Sequence, residues 1–291
     1  MKIYFMLAFT RATLNPNPVL VELFERLRSR GNEVELGVAD ELVMDPARFV
    51  PDRDLYILKS HAPLWLSLAG VLHGQGARIL NPYLACVAAH NKIVAERRLE
   101  AAGIPTPHSW VTGDLSLLQP LSEDRALIVK PYIGGRGVGV TLARNPQELA
   151  AIPASDQPVL VQEFVPGNEI KVAVIGETVT AIRKIETPTG SVRVPYPVSD
   201  TVREIALRSG QIFGLKLYGL DVIEGPDGPV VIDLNYFPSY KGVPNAATLL
   251  ADYILDFAAT SSQPLLFDAS REPGRSGIRP LASEYAIAKA S

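Results

Sequence analysis

Three oxygen-bearing side chains carry the most chemical information in this chain: Asp221, Asp233 and Asn235, all within the stretch LYGLDVIEGPDGPVVIDLNYFPSYKGV from Leu217 to Val243. Asp233 and Asn235 are two apart, so on a β-strand both side chains leave one face. Gly225-Pro226-Asp227-Gly228 is strong turn chemistry and separates two apolar runs, roughly Leu217–Glu224 and Pro229–Asn235. If those runs pair antiparallel about the turn, Asp221 joins the same face. Two carboxylates and an amide converging in this way make a hard-oxygen site suited to Mg²⁺, with nucleotide phosphates completing the shell. Read alone, Asp and Asn are also ordinary residues at the end of a strand.

The elements that must position these residues alternate regularly. Residues 2–9 (KIYFMLAF) read as a buried strand, followed by a polar loop containing Arg11. A helix is predicted over Val19–Arg30, stopped by Gly31, then strands at Glu33–Val38 and Asp54–Leu58. Lys59-Ser60-His61 follows, then a helix over Pro63–Gly74 and a short strand ending at Asn81-Pro82. This β-α-β-α-β order predicts a small parallel sheet covered by helices. Loops at the carboxyl ends of such strands usually carry ligands, which nominates Arg11, Lys59 and His61. Residues 82–102 read as one continuous helix bearing Lys92, and Gly103-Ile104-Pro105 ends it.

A lysine, Lys130, closes the apolar strand ALIVKP, and the loop Gly134-Gly135-Arg136-Gly137-Val138-Gly139 comes directly after it. A dinucleotide fold would need a helix after such glycines. Here β-type sequence continues through Val140–Ala143, so the glycines predict a flexible hairpin whose backbone N–H groups can approach phosphates. Val159–Val165 reads as a buried strand. Ile170–Ile175, Thr178–Ile185 and Val192–Tyr196 read as antiparallel strands carrying Lys171, Arg183, Lys184 and Arg193. Alternation places Arg183 and Lys184 on opposite faces, so not all of these cations can serve one site. A helix over Thr201–Phe213 and a final helix over Pro244–Ala258 flank the hairpin, and residues 261–291 have little periodicity.

Composition narrows the function classes. The chain has 291 residues, 47% of them hydrophobic, and a net charge of −3. That length suits one large domain or two to three small ones, and the charge gives no bulk attraction to nucleic acid or membrane. The single cysteine, Cys86, excludes an intramolecular disulfide framework and a multi-cysteine metal site; in LACVAA it reads as a core residue. MKIYFMLAF reads as a first strand rather than a leader, and a cytosolic enzyme is the expectation.

The order of these features resembles the ATP-grasp superfamily with a pre-ATP-grasp domain in front, over about residues 1–258. IVKPYIGGRGVGV and AAGIPTP are most similar to the branch of α-L-glutamate ligases. The resemblance implies an α/β (α+β) fold: a parallel-sheet domain over 1–85, a glycine-loop lid over 86–165, an antiparallel-sheet subdomain over 166–260 and a tail over 261–291. It implies that Lys92, Lys130 and the loop glycines Gly135, Gly137 and Gly139 meet ATP phosphates. Gln162, Glu163, Phe164 and Val165 would read adenine through their backbone, and Glu169 the ribose hydroxyls. Asp221, Asp233 and Asn235 would hold one or two Mg²⁺ ions, with Mn²⁺ as a substitute. Arg183 and Lys171 would be the catalytic cations.

The implied reaction is carboxylate–amine ligation through an acyl phosphate, on a small-molecule or peptide acceptor, by a chain that could act as a homo-oligomer. Departures from the pattern keep an alternative open. Asp233-Leu234-Asn235 stands where the ligase branch usually has Glu-x-Asn, and Glu169-Ile170-Lys171 where it has Asp-Ile-Arg. Phe237-Pro238-Ser239-Tyr240-Lys241-Gly242-Val243 is similar to the inositol tris/tetrakisphosphate kinases, which share the fold. The basic set Arg11, Lys59, His61, Lys171, Arg193 and Lys241 favours that reading, and Arg11, Lys59, His61, Arg193, Tyr240 and Lys241 are the candidates for contact with the acceptor.

Overall fold

The computed structural model describes residues 1–7, 17–39, 45, 49–134, 137–188 and 190–260. Arg11, Gly135 and the 261–291 tail therefore lie outside the described residues. In chain order the elements are β1 (Lys2–Leu7), α1 (Pro18–Ser29), β2 (Glu33–Val38), β3 (Leu55–Leu58), α2 (Pro63–Gly74) and β4 (Ile79–Leu80). Next come α3 (Tyr83–His90), α4 (Lys92–Ala101), β5 (Ser109–Thr112), α5 (Gln119–Ser122), β6 (Leu127–Pro131), β7 (Thr141–Ala143), α6 (Pro146–Ala150) and β8 (Val159–Glu163). The last are β9 (Asn168–Ile175), β10 (Thr178–Thr187), β11 (Gly190–Tyr196), α7 (Asp200–Phe213), β12 (Leu217–Gly225), β13 (Gly228–Tyr236) and α8 (Ala246–Thr260).

Three sheets result. The first runs β2-β1-β3-β4 and is parallel throughout, as the βαβ alternation requires. The second, β5-β8-β6-β7, is antiparallel and contains the glycine hairpin: β6 pairs with β7 with no helix after the glycines. The third, β11-β10-β9-β12-β13, is also antiparallel. Two apolar cores hold these layers. The larger joins residues of the first sheet, such as Phe5 and Ile57, to residues of the third, such as Val172 and Tyr218, and to Leu250 of α8. The smaller lies between the second sheet and α6: Leu127, Val129, Ala143, Val159 and Val161 of the strands with Leu149 of the helix. Cys86 is fully buried in the larger core, and burial pushes its thiol well above the ordinary range, which suits a packing residue.

One element differs from the sequence expectation. Residues 82–102 form not one helix but two, α3 and α4, broken at Asn91. Asn91 has extended backbone geometry, φ −93° and ψ 108°, and its Oδ1 accepts from the N–H groups of Ile93 and Val94 at 3.1 and 3.3 Å. The side chain thus offers the backbone a cap in place of another helical turn. The Lys92 N–H donates to the Tyr132 carbonyl at 3.0 Å, so the break also docks the start of α4 onto the end of β6. Apolar periodicity runs through Asn91 unchanged, which is why the pattern alone misses it.

Between the layers, Asn81 acts as a polar staple. Fully buried, its Oδ1 accepts from the N–H groups of Lys216 and Leu217 at 2.9 Å each, and its Nδ2 donates to the Leu217 carbonyl at 2.7 Å. It fixes the start of β12, and so the register of the hairpin, against the first sheet.

Candidate active site

The hairpin β12–β13 pairs Asp221 directly with Asp233 and Gly219 with Asn235. On its other side β12 pairs Asp221 with Lys171 of β9. Directly opposed residues in an antiparallel sheet share a face. Lys171, Asp221 and Asp233 therefore form one row across three strands, with Asn235 beside them. The register slips between Asp221 and Val222, a bulge next to the acidic pair.

In this row each carboxylate already carries a cation. Lys171 Nζ lies 2.9 Å from Asp221 Oδ2 and 3.1 Å from Glu169 Oε1. Lys92, at the start of α4, donates to Asp233 Oδ1. Asn235 Nδ2 donates to Asp233 Oδ2 at 3.0 Å, leaving its Oδ1 as an acceptor. Burial is the main reason the Asp221 carboxyl is pushed up to about 6; Lys171 opposes the shift and Asp233 adds to it. Among the described residues no three His, Cys, Asp or Glu side chains form a closed metal cage. Two carboxylates and an amide form an open set instead, the kind Mg²⁺ uses when substrate phosphates and water supply its remaining ligands. The residues present fit that ion.

Above this row the second sheet contributes Lys130 and Gln162. Lys130 is 6% exposed; its Nζ donates to the Ile232 carbonyl at 3.0 Å and lies 3.3 Å from Glu96 Oε1. Gln162 Nε2 donates to the same Glu96 oxygen at 2.6 Å. Beyond Gln162 the chain stays extended. The Glu163 and Phe164 N–H groups donate to the carbonyls of His108 and Ala126, both at 2.9 Å. The Glu163 side chain pairs with Arg125, the Phe164 ring is exposed, and Val165 packs against Gly225. Gly137 and Gly139 have φ of 71° and 75°, where a side chain is strained. A Cβ at Gly139 would stand 3.0 Å from the Pro131 ring.

Other sequence candidates are placed elsewhere. Ile182 of β10 pairs with Lys171, so Arg183 lies on the opposite face of the sheet from the acidic row. Its Nη2 donates to Asn168 Oδ1 at 3.4 Å. The cations that share the row's face are Lys184 and its cross-strand partner Arg193. This corrects the expectation for Arg183: with a period of two, a one-residue choice reverses the face. Tyr240 is likewise not presented to an acceptor. It is buried, and its hydroxyl donates to the Val174 carbonyl at 3.1 Å.

His61 stacks on the Tyr236 ring at 4.0 Å, and its Nε2 meets the Tyr236 carbonyl at 3.0 Å. Burial, with Lys59 nearby, lowers its pKa to about 3. Lys59 Nζ lies 5.5 Å from the Phe237 ring centre. Lys241 and Arg193 are exposed. Sequence reading missed Glu96 and Asn81 as polar partners. The only signal for Glu96 is its place four residues after Lys92, on the same helical face.

The chain matches the RimK-like ATP-grasp domain over residues 89–256. It belongs to that family. A probable alpha-L-glutamate ligase of Rhodopirellula baltica is 34% identical over 148 residues, which are 45% of this chain and 36% of that protein. A protein of the same name from Legionella pneumophila (strain Corby) is 28% identical over 211 residues, 66% of this chain and 70% of the relative. In structure the chain is similar to the RimK domain ATP-grasp protein of Sphaerobacter thermophilus, with a TM-score of 0.71, 21% identity and coverage of 87% and 99% of the two chains. It is also similar to the ATP-grasp ligase PsnB in complex with minimal precursor, Mg and ADP, with a TM-score of 0.67, 19% identity and coverage of 88% and 97%. Fold and family place the chain among the ATP-grasp enzymes of the carbon–nitrogen ligase class. Among the described residues no helix is long and apolar enough to cross a membrane.

Proposed function

We propose that the chain joins a carboxylate to an amine, using ATP and Mg²⁺, through an acyl phosphate. The observation that carries this reading is the acidic row Asp221–Asp233–Asn235 set between Lys171 and Lys92, with Lys130 reaching the same strand from the second sheet. Asp221, Asp233 and Asn235 would hold one or two Mg²⁺ ions, or Mn²⁺; the bound ion would withdraw charge from phosphate oxygens. Lys92 and Lys130 neutralise phosphate oxygens as point charges. The glycine hairpin closes over them, and its N–H groups donate to them. Residues 162–165 offer backbone to the adenine edge, and Glu169 its carboxylate to the ribose. Lys171 and, in place of Arg183, Lys184 face the transferred phosphoryl group and stabilise its charge.

In the reaction, the acceptor's carboxylate oxygen attacks the γ-phosphorus and ADP leaves. The amine nitrogen then attacks the acyl carbon, orthophosphate leaves, and the nitrogen loses a proton. The chain supplies position and charge rather than a nucleophile, in keeping with a sequence that has no Ser-His-Asp or Cys-His arrangement. The relatives' name supports an amino acid such as glutamate as one reactant and a small molecule or peptide as the other.

The test is phosphate accounting. With ATP, Mg²⁺, glutamate and a panel of carboxylate acceptors, orthophosphate should appear only when carboxylate and amine are both present. Phosphate transferred to the acceptor with no orthophosphate released is the kinase outcome, and it would overturn the ligase reading while keeping the ATP site.

A further inference from the structure

Glu96 has no role in the reading above, yet it lies at the junction of three elements. Helical spacing puts it one turn after Lys92 on α4, so both face β13. Lys92 meets the Asp233 side chain, and one turn later Glu96 meets Lys130, whose Nζ donates to the carbonyl of the preceding residue, Ile232. Within the second sheet, Ile128 pairs with Gln162, so Lys130 and Gln162 project from the same face. That face meets α4 at Glu96. One carboxylate oxygen, Oε1, takes both contacts: Gln162 Nε2 at 2.6 Å and Lys130 Nζ at 3.3 Å. The other, Oε2, is buried with no hydrogen-bond donor.

Lys130 and Glu96 are 6% and 9% exposed. An ammonium this buried holds its charge only with a paired anion. Burial lowers the Lys130 pKa, and Glu96 is the strongest influence opposing that shift. Gln162 in turn fixes the carboxylate, since an amide donating to one oxygen restricts its rotation.

Resting on the ATP site proposed above, we infer that Glu96 is a positioning residue for nucleotide binding: it holds the Lys130 ammonium charged and aimed, and ties the second sheet to α4 while doing so. Glu96 itself makes no contact with nucleotide in this scheme. Its effect passes entirely through Lys130, which gives the test its form.

ATP binding in the presence of Mg²⁺ is measured by titration calorimetry on the full chain as wild type, Glu96→Gln, Lys130→Met and the double variant, each checked for folding by thermal unfolding. Glu96→Gln should weaken ATP binding about tenfold in the wild-type background, as expected for loss of one charge-assisted pair. In the Lys130→Met background the same change should weaken it less than about twofold, because residues acting as a unit are not additive. Equal losses in both backgrounds, or no loss in the first, would overturn the role of Glu96. If Glu96→Gln does not fold, Glu96→Asp, which withdraws the charge by one methylene, is measured in both backgrounds against the same criterion. A wild-type chain that takes up no ATP would overturn the nucleotide reading itself, a result distinct from additive losses in a chain that binds it.

Discussion

Asp233 and His61 show how differently two polar residues near the same strand can behave. Asp233 holds Lys92 and Asn235 and stands opposite Asp221, so its removal takes away a carboxylate of the proposed Mg²⁺ site and frees a lysine at once. Asp233→Ala should lower kcat/KM for Mg·ATP-dependent turnover by at least about 100-fold, the scale of losing a preorganised electrostatic group. Steady-state kinetics checks this, and near-normal turnover would remove Asp233 from the site. His61 works through stability. Its folded pKa of about 3 lies below the ordinary 6.5, so the folded chain keeps it neutral while the unfolded chain takes up a proton below 6.5. Its contribution is complete above pH 6.5 and declines as pH falls toward 3, by up to about 1.4 kcal/mol per pH unit. Denaturant unfolding across that window should show a shallower pH slope for His61→Gln than for wild type. The same slope in both would mean that His61 is protonated in the fold.

At the scale of elements, two features aim the site: the break at Asn91 and the turn after β13. Asn91→Ala removes the acceptor for Ile93 and Val94 and should cost about 0.5–2 kcal/mol in denaturant unfolding. Because Lys92 is the next residue, the KM for ATP should rise in the same variant; an unchanged KM would mean that α4 holds its position without the cap. The turn is backbone-strained. Phe237 and Tyr240 have φ of 41° and 54°, a region side chains occupy at a cost of about 1–3 kcal/mol each. Gly242 follows at φ 87°, where a Cβ would stand 2.8 Å from Arg193 Cβ. The buried Tyr240 hydroxyl and the close approach of Gly242 to β11 hold this turn in place, directly after the proposed metal ligands. Its resemblance to a kinase pattern is thus met here by a structural use.

Across the whole molecule, the division into two cores sets the dynamics. The first and third sheets share one large apolar core, whereas the second rests on a small one of its own and on polar ties through Lys130, Gln162 and Glu96. Regions with few buried apolar contacts open at lower free energy. Amide hydrogen exchange should therefore be faster in β5–β8 than in β9, β12 and β13. Saturating Mg·ATP should slow it most in β5–β8, with a stabilisation of about 2.7 kcal/mol at 100 times Kd. Uniform protection across all three sheets, with or without nucleotide, would contradict the two-core division.

Much of this was legible in the residues themselves. β2 and α2 fall at Glu33–Val38 and Pro63–Gly74, as apolar periodicity and glycine stops predict, because those signals are local. The hairpin and its shared acidic face follow from turn chemistry and a period of two, and the pairing of Asp221 with Asp233 agrees with both. Three matters depended on how distant strands and helices meet. Whether Arg183 or Lys184 shares the acidic face turns on the register of β10 against β9, which hydrogen bonds across strands decide. The break at Asn91 is invisible to periodicity, since it joins a local cap to a tertiary contact, the Lys92 N–H donating to Tyr132 just after β6. And the acidic row, two carboxylates and an amide that could as well have ended a strand, acquires its lysines only through packing. Lys92 and Lys130 are distant in sequence from Asp233 and from each other, and only the docking of α4 and the second sheet against β13 brings their charges to one place.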